Sequence, residues 1–85
     1  MSKKTPNVVV ALTAPISVDG AMLSELTVRR PKVRDMLAIE NMTKNDAEKE
    51  IHLFANLCEV SPESLYELDM ADYGKLQKVY QDFLS

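Results

Sequence analysis

The chain has 85 residues, which is enough for one domain and too few for a second hydrophobic core. Its composition, 46% hydrophobic and 27% charged, is ordinary for a globular protein and argues against extensive intrinsic disorder. The net charge of −3 is unevenly spread: residues 1–34 carry six Lys and Arg against two acids, whereas residues 35–85 carry four Lys against eleven acids. A charge split of this kind can orient a partner.

The first third of the chain predicts a short tail followed by a β-hairpin. Residues 1–7 are polar, with two lysines and a proline, which is typical of a disordered tail. Val8–Thr13 has the β-branched content of a strand, and Ala21–Arg29 is a second strand candidate. Asp19-Gly20 lies between them and accepts the positive φ angles of a tight turn. The predicted hairpin therefore covers residues 8–29.

The register of this hairpin is open from the sequence alone. Three apolar residues of the second strand share a face at period two: Met22, Leu26 and Val28. A two-residue loop would instead place Ile16 opposite Leu23, on the other face. A β-bulge near Ala14-Pro15 would reconcile the two patterns.

Residues 31–84 carry helical signals. Pro31 suits the first position of a helix that ends near Met42, with Val33, Met36 and Leu37 at helical spacing. Met36 is assigned to the core by this spacing, whereas Ile39 lies off the apolar stripe.

Three further helix starts follow from side chains that can cap them: Asn45, Ser61 before Pro62, and Asp69. The last helix presents a wide apolar stripe, and Gly74 weakens its first turn. The predicted fold class is α+β: an N-terminal hairpin and three or four short helices packed on one face of it, in a single domain over residues 8–84.

The sequence contains no motif that indicates an enzyme, a metal site or a cofactor site. His52 and Cys58 are six residues apart on one predicted helix, about 240° around its axis, so they face different ways. No second Cys or His joins His52 at metal-ligand spacing. We therefore predict no catalytic residue, no metal and no cofactor.

A basic cluster of four residues lies at the hairpin-to-helix junction: Arg29, Arg30, Lys32 and Arg34. Such a cluster can contact phosphates, so nucleic-acid binding is an alternative function. The acidic pI of about 5.0 and the lack of an aromatic residue within the cluster disfavour it. The simpler interpretation is that these residues pair with the acidic helices.

A protein-binding surface is the hypothesis that the composition favours. Candidate contact residues are apolar side chains near helix ends or off the predicted stripes, together with aromatic residues of the last helix: Ile39, Met42, Met70, Tyr73 and Tyr80. Core packing explains many of the same residues. The free hairpin edge at Val8–Leu12 is an alternative surface, which would add a strand to a partner or to another copy.

Three segments, in this order, resemble the small tail assembly chaperones of Mu-like and related contractile-tailed phages and prophages. They are ELTVRRPKVRD at 25–35, SPESL at 61–65 and LDMADYGKLQKVYQDFL at 68–84. The resemblance covers about residues 8–84. No single motif is diagnostic, and its weight comes from the order of the segments and the chain length.

This resemblance implies a non-enzymatic chaperone that binds the tape measure protein, keeps it soluble and helps the tail tube polymerise around it. It also implies a longer frameshifted form in many relatives, and a place in the host cytoplasm rather than in the finished virion. The lone cysteine and the lack of a signal-peptide pattern agree with a reducing compartment. A homo-oligomer is a further option, no membrane is expected, and a small cytosolic adaptor is the alternative function.

Overall fold

A computed structural model describes residues 7–42 and 44–85. The described chain forms one antiparallel hairpin followed by four helices, which confirms the predicted α+β class. Its elements are β1 (Asn7–Val18), β2 (Ala21–Arg29), α1 (Val33–Glu40), α2 (Asp46–Cys58), α3 (Pro62–Tyr66) and α4 (Met70–Phe83). Asn7, which was assigned to the tail, begins β1, and the rest of the predicted tail lies outside the described residues.

The hairpin turns at Asp19-Gly20, as predicted. Both residues have positive φ, 52° and 84°, which is the backbone of a type I′ turn. Val18 pairs with Ala21 directly across this turn. The twist of such a turn matches the twist of the two strands, so the loop is as short as a hairpin allows.

A bulge interrupts the ladder at the predicted place. Ala11 pairs with Glu25 and Ile16 pairs with Leu23, so the four residues 12–15 of β1 lie opposite Ser24 alone. Leu26 and Val28 are therefore buried on one side of the bulge and Ile16 on the other. Met22 is the exception: it is 67% exposed, and Leu23 packs against the core instead, because the bulge bends and twists the hairpin near its tip.

Helix α1 begins two residues later than Pro31 suggested. Lys32 keeps an extended backbone and is the N-cap, and its N–H donates to the Asp35 carboxylate over 2.7 Å. The same carboxylate binds Arg29 at the end of β2. This contact with β2 turns the Asp35 side of the helix toward the core.

The buried face of α1 consequently differs from the predicted stripe. Ile39, one helical turn after Asp35, is only 7% exposed, so its assignment to a partner-facing position was wrong. Met36, which was assigned to the core, is 54% exposed, and its neighbours Val33 and Leu37 are exposed as well. A helix of eight residues has too few apolar positions for their spacing to predict which side of the helix faces the core.

The other three helices start where their capping residues predict. Asn45 Oδ1 accepts from the Glu48 N–H, Ser61 Oγ from the Ser64 N–H, and Asp69 Oδ1 from the Ala71 N–H. These bonds satisfy N–H groups that the first turn of a helix leaves unpaired.

The core lies between one face of the hairpin and the helices. Helix α4 packs on β1, α2 packs on β2, α3 touches α2 and β1, and α1 packs on α2. The buried apolar residues are Val10, Leu12, Ile16, Leu26, Val28, Ile39, Leu53, Phe54, Ala55, Leu57, Cys58, Leu65 and Leu76. This arrangement covers the inner face of the hairpin and leaves several apolar side chains of α1, α3 and α4 at the surface.

Candidate partner-binding surface

An apolar groove opens where α2, α3 and α4 meet, and we call it the α3–α4 groove. It has a volume of about 250 Å³ and is lined by Ile51, Leu65, Tyr66, Leu68, Met70 and Tyr73. Leu65 forms its buried floor, and Met70 at the rim is 80% exposed.

Local sequence explains why the groove is open. Pro62 and the Ser61 cap start a helix of only five residues, which buries Leu65 and leaves the next residue, Tyr66, exposed. Asp69 then caps α4, so Met70 occupies its first position and lies at the protein surface. Because α3 ends at Tyr66 and α4 begins at Met70, a gap remains between the two helices, and no other described element fills it.

Tyr73 is held at the inner side of the groove by two contacts. Its hydroxyl donates to Glu50 Oε1 over 2.6 Å, and its ring lies 5.5 Å from the ring of Phe54. Burial, with the neighbouring Glu50 carboxylate, raises the pKa of the Tyr73 hydroxyl. Tyr73 therefore stays a neutral donor, and its fixed ring gives the groove a rigid wall.

A second apolar cleft lies at the other end of α4, near its C-terminus. It has a volume of about 230 Å³ and is lined by Pro31, Lys32, Val33, Met36, Tyr80 and Leu84. We call it the α1–α4 cleft. Its apolar side chains include Val33 and Met36, which the rotation of α1 leaves exposed.

The structure brings together only some of the predicted contact residues. Met70 and Tyr73 line one groove, Tyr80 lines the other cleft, and Met42 is exposed just after α1. Ile39 belongs to the core. Exposed apolar residues that the sequence did not single out as contact residues include Val33, Leu37, Tyr66 and Leu84. Of these residues, only Tyr66 had a local reason to be exposed. It directly follows Leu65, which is the buried residue of a helix only five residues long.

The basic cluster divides into structural and surface residues. Arg29 makes a bidentate pair with Asp35, with nitrogen–oxygen distances of 2.7 and 3.0 Å. The guanidinium of Arg30 lies 5.1 Å from the centre of the Phe83 ring. Lys32 and Arg34 are exposed. Two of the four cations are thus engaged within the fold. For Arg29 this supports the simpler interpretation, in which it pairs with an acidic residue of a helix. The hydrogen bond from Arg29 also lowers the pKa of Asp35.

The outer edge of β1 is partly occupied by α4. Asp72 accepts from the N–H groups of Thr13 and Ala14, and Lys75 Nζ donates to the Ala11 carbonyl over 2.9 Å. Strand addition is therefore blocked at residues 11–14. Of the predicted edge at Val8–Leu12, only the residues before Ala11 remain available for pairing.

The described residues contain neither a reactive cysteine nor a cluster of metal-ligating side chains. Cys58 is buried, and burial raises the pKa of its thiol to about 12, so it is not a nucleophile at neutral pH. Residues 7–42 and 44–85 contain no group of three or more His, Cys, Asp and Glu side chains placed to hold a metal ion.

Across the described part of the chain, no helix has both the length and the apolar character needed to cross a bilayer.

The sequence matches a protein-family model over residues 9–85, nearly its whole length. The family is described as phage tail assembly chaperone proteins, E, or 41 or 14. No curated protein and no solved structure matches the chain. The match extends from β1 to the end of α4 and so includes the hairpin, the bulge, the α3–α4 groove and the α1–α4 cleft. The chain therefore belongs to the family of phage tail assembly chaperone proteins.

Proposed function

We propose that this chain binds the tape measure protein of its phage, keeps it soluble, and helps the tail tube polymerise around it. The observation that carries the proposal is the family match over residues 9–85, because tail assembly is the process in which such a client must be handled. The tail tube protein and a longer, frameshifted form of the chain are further partners in this proposal. The host cytoplasm is its site of action.

The mode of action that we propose is binding rather than catalysis. An assembly chaperone needs exposed apolar surface that its own fold does not cover, and the α3–α4 groove and the α1–α4 cleft are surfaces of this kind. Clefts of this kind receive the apolar side of an amphipathic helix. A long helical client would supply many such segments.

Co-expression tests this function directly. The chain, carrying an affinity tag, is produced together with the tape measure protein of the same phage, and the soluble fraction of the client and its recovery with the chain are measured. We expect the client to be insoluble alone, soluble with the chain, and recovered with it. An unrelated tagged protein of similar size is the control. A client that is soluble alone and is not recovered with the chain would contradict the proposal.

A further inference from the structure

We propose that the α3–α4 groove binds an amphipathic helix whose apolar face is flanked by lysine and arginine. This inference rests on the proposed function and specifies which segments of a client the chain selects. It also separates the α3–α4 groove from the α1–α4 cleft, which has the opposite charge around it.

The apolar part of the groove suits the side chains of a helix. Five of its six lining residues are aliphatic, methionine or tyrosine side chains that are partly or largely exposed, and Leu65 closes its floor. Met70 is the most exposed large apolar residue of the described chain at 80%. Methionine adapts its shape to different apolar surfaces, which suits a surface that binds several related segments.

The charge around the groove identifies the chemistry of its occupant. From residue 50 to residue 74 the chain has six acidic residues and no Lys or Arg. Three of the six adjoin the lining: Glu67 lies between Tyr66 and Leu68, Asp69 precedes Met70, and Glu50 accepts from the Tyr73 hydroxyl. An acidic rim attracts a basic segment and repels an acidic one, so it selects partners by charge.

The α1–α4 cleft provides an internal contrast. Its apolar residues are accompanied by Lys32, which lines it, and by Arg30 and Arg34 in the adjoining sequence. The two apolar surfaces have similar volumes but oppositely charged rims, so of these two the α3–α4 groove is the one that favours a helix with basic flanks. Addition of a strand at the central edge of β1 is blocked by Asp72 and Lys75.

Two synthetic peptides test the inference without requiring the natural client. Both carry the same leucine face on a helix-forming backbone, and one has lysine flanks where the other has glutamate. Binding to the full chain is measured by fluorescence anisotropy at low and high salt. We expect the lysine peptide to bind at least about tenfold more tightly than the glutamate peptide, with an advantage that shrinks as salt screens the charges.

Four variants locate the site. Met70→Gln removes an apolar contact and Glu67→Lys reverses a rim charge, and each should weaken binding of the lysine peptide by about tenfold. Met22→Gln and Glu25→Lys make the same changes on the hairpin, at exposed positions outside the groove, and should bind like the wild-type chain. Thermal unfolding of all four variants checks that the fold is retained, as expected for exposed side chains.

Three results would overturn the inference: equal binding of the two peptides, no binding of either, or groove variants that bind as well as the hairpin variants. A self-association that only the groove variants abolish, measured by sedimentation, would also overturn it, because the groove would then be covered by a second copy. Failure here together with client recovery in the co-expression assay leaves the chaperone function in place on another surface. Failure of client recovery alone contradicts the chaperone function and leaves the charge selectivity of the groove standing.

Discussion

The carboxylate of Asp72 accepts a hydrogen bond from the backbone N–H of Thr13, with 2.9 Å between the nitrogen and Oδ1. Asp72 lies in the first turn of α4 and is fully buried, and Thr13 lies in the bulge of β1. A second bond comes from the N–H of Ala14. The bulge withdraws backbone groups from the strand ladder, and a carboxylate from a distant helix satisfies two of them.

The first prediction concerns this contact. Replacing Asp72 with asparagine keeps the size of the side chain but puts an N–H₂ group where the bulge presents donors, so a donor is left without an acceptor. We expect Asp72→Asn to lower the melting temperature by on the order of 5–10 °C. Circular dichroism measures the transition. Asp82→Asn, which removes only an exposed pair with Lys78, is the control and should change it little.

The second prediction is the pH dependence of stability. The N–H of Thr13 and the other donors around Asp72 lower the pKa of its carboxyl group to about 2 in the folded chain, below the value of about 3.9 in an unfolded one. The stabilisation is therefore complete above the unfolded pKa and is lost as the pH falls from about 4 towards 2. Asp35 acts in the same direction, because Arg29 lowers its pKa.

Denaturation by urea at a series of pH values measures this dependence. As the pH is lowered through that window, the free energy of unfolding of the wild-type chain should decrease. The decrease should be less steep for Asp72→Asn. An identical slope for both proteins would contradict the role of Asp72.

The third prediction is that Arg29 and Asp35 are coupled. The Asp35 side chain is buried, and it receives both the guanidinium of Arg29 and the N–H of Lys32. Asp35→Ala should lower the free energy of unfolding by roughly 2–3 kcal/mol, because it leaves the guanidinium and the N–H without their acceptor. Adding Arg29→Met to this variant should cost less than Arg29→Met alone. A double-mutant cycle measures the difference, and additive effects would show that the pair is not coupled.

The fourth prediction tests the rotation of α1 with two substitutions on the same helix. Ile39→Ala leaves a cavity in the core and should lower the free energy of unfolding by about 3 kcal/mol. Met36→Ala removes exposed atoms and should change it by less than about 0.5 kcal/mol. Equilibrium denaturation of both variants is the measurement. Similar costs at the two positions would indicate a different orientation of the helix.

The fifth prediction concerns the two glycines. A methyl group at Gly74 would meet no other atom within 4 Å, and its helical backbone suits alanine, so Gly74→Ala should stabilise the chain by about 0.5–1 kcal/mol. The same change at Gly20, where φ is 84°, should destabilise it by about 1 kcal/mol. Thermal unfolding compares the two. A loss of stability in Gly74→Ala would mean that the space beside α4 is filled.

The sequence by itself determined the local features of this protein. The Asp19-Gly20 turn and the starts of α2, α3 and α4 were predicted correctly because each depends on side chains within a few residues of it. The hairpin followed by helices came from the same kind of signal. The order of three segments also gave the family, which the match over residues 9–85 confirms.

Tertiary structure alone decided which apolar residues face the solvent. Ile39 is buried and Met36 exposed because Arg29, in another element, fixes the rotation of α1 through Asp35. The α3–α4 groove joins residues of three helices, and Asp72 reaches a bulge 59 residues away in the sequence. A periodic pattern shows that a helix has an apolar side, whereas the contacts between elements decide which part of that side becomes core and which remains available to a partner.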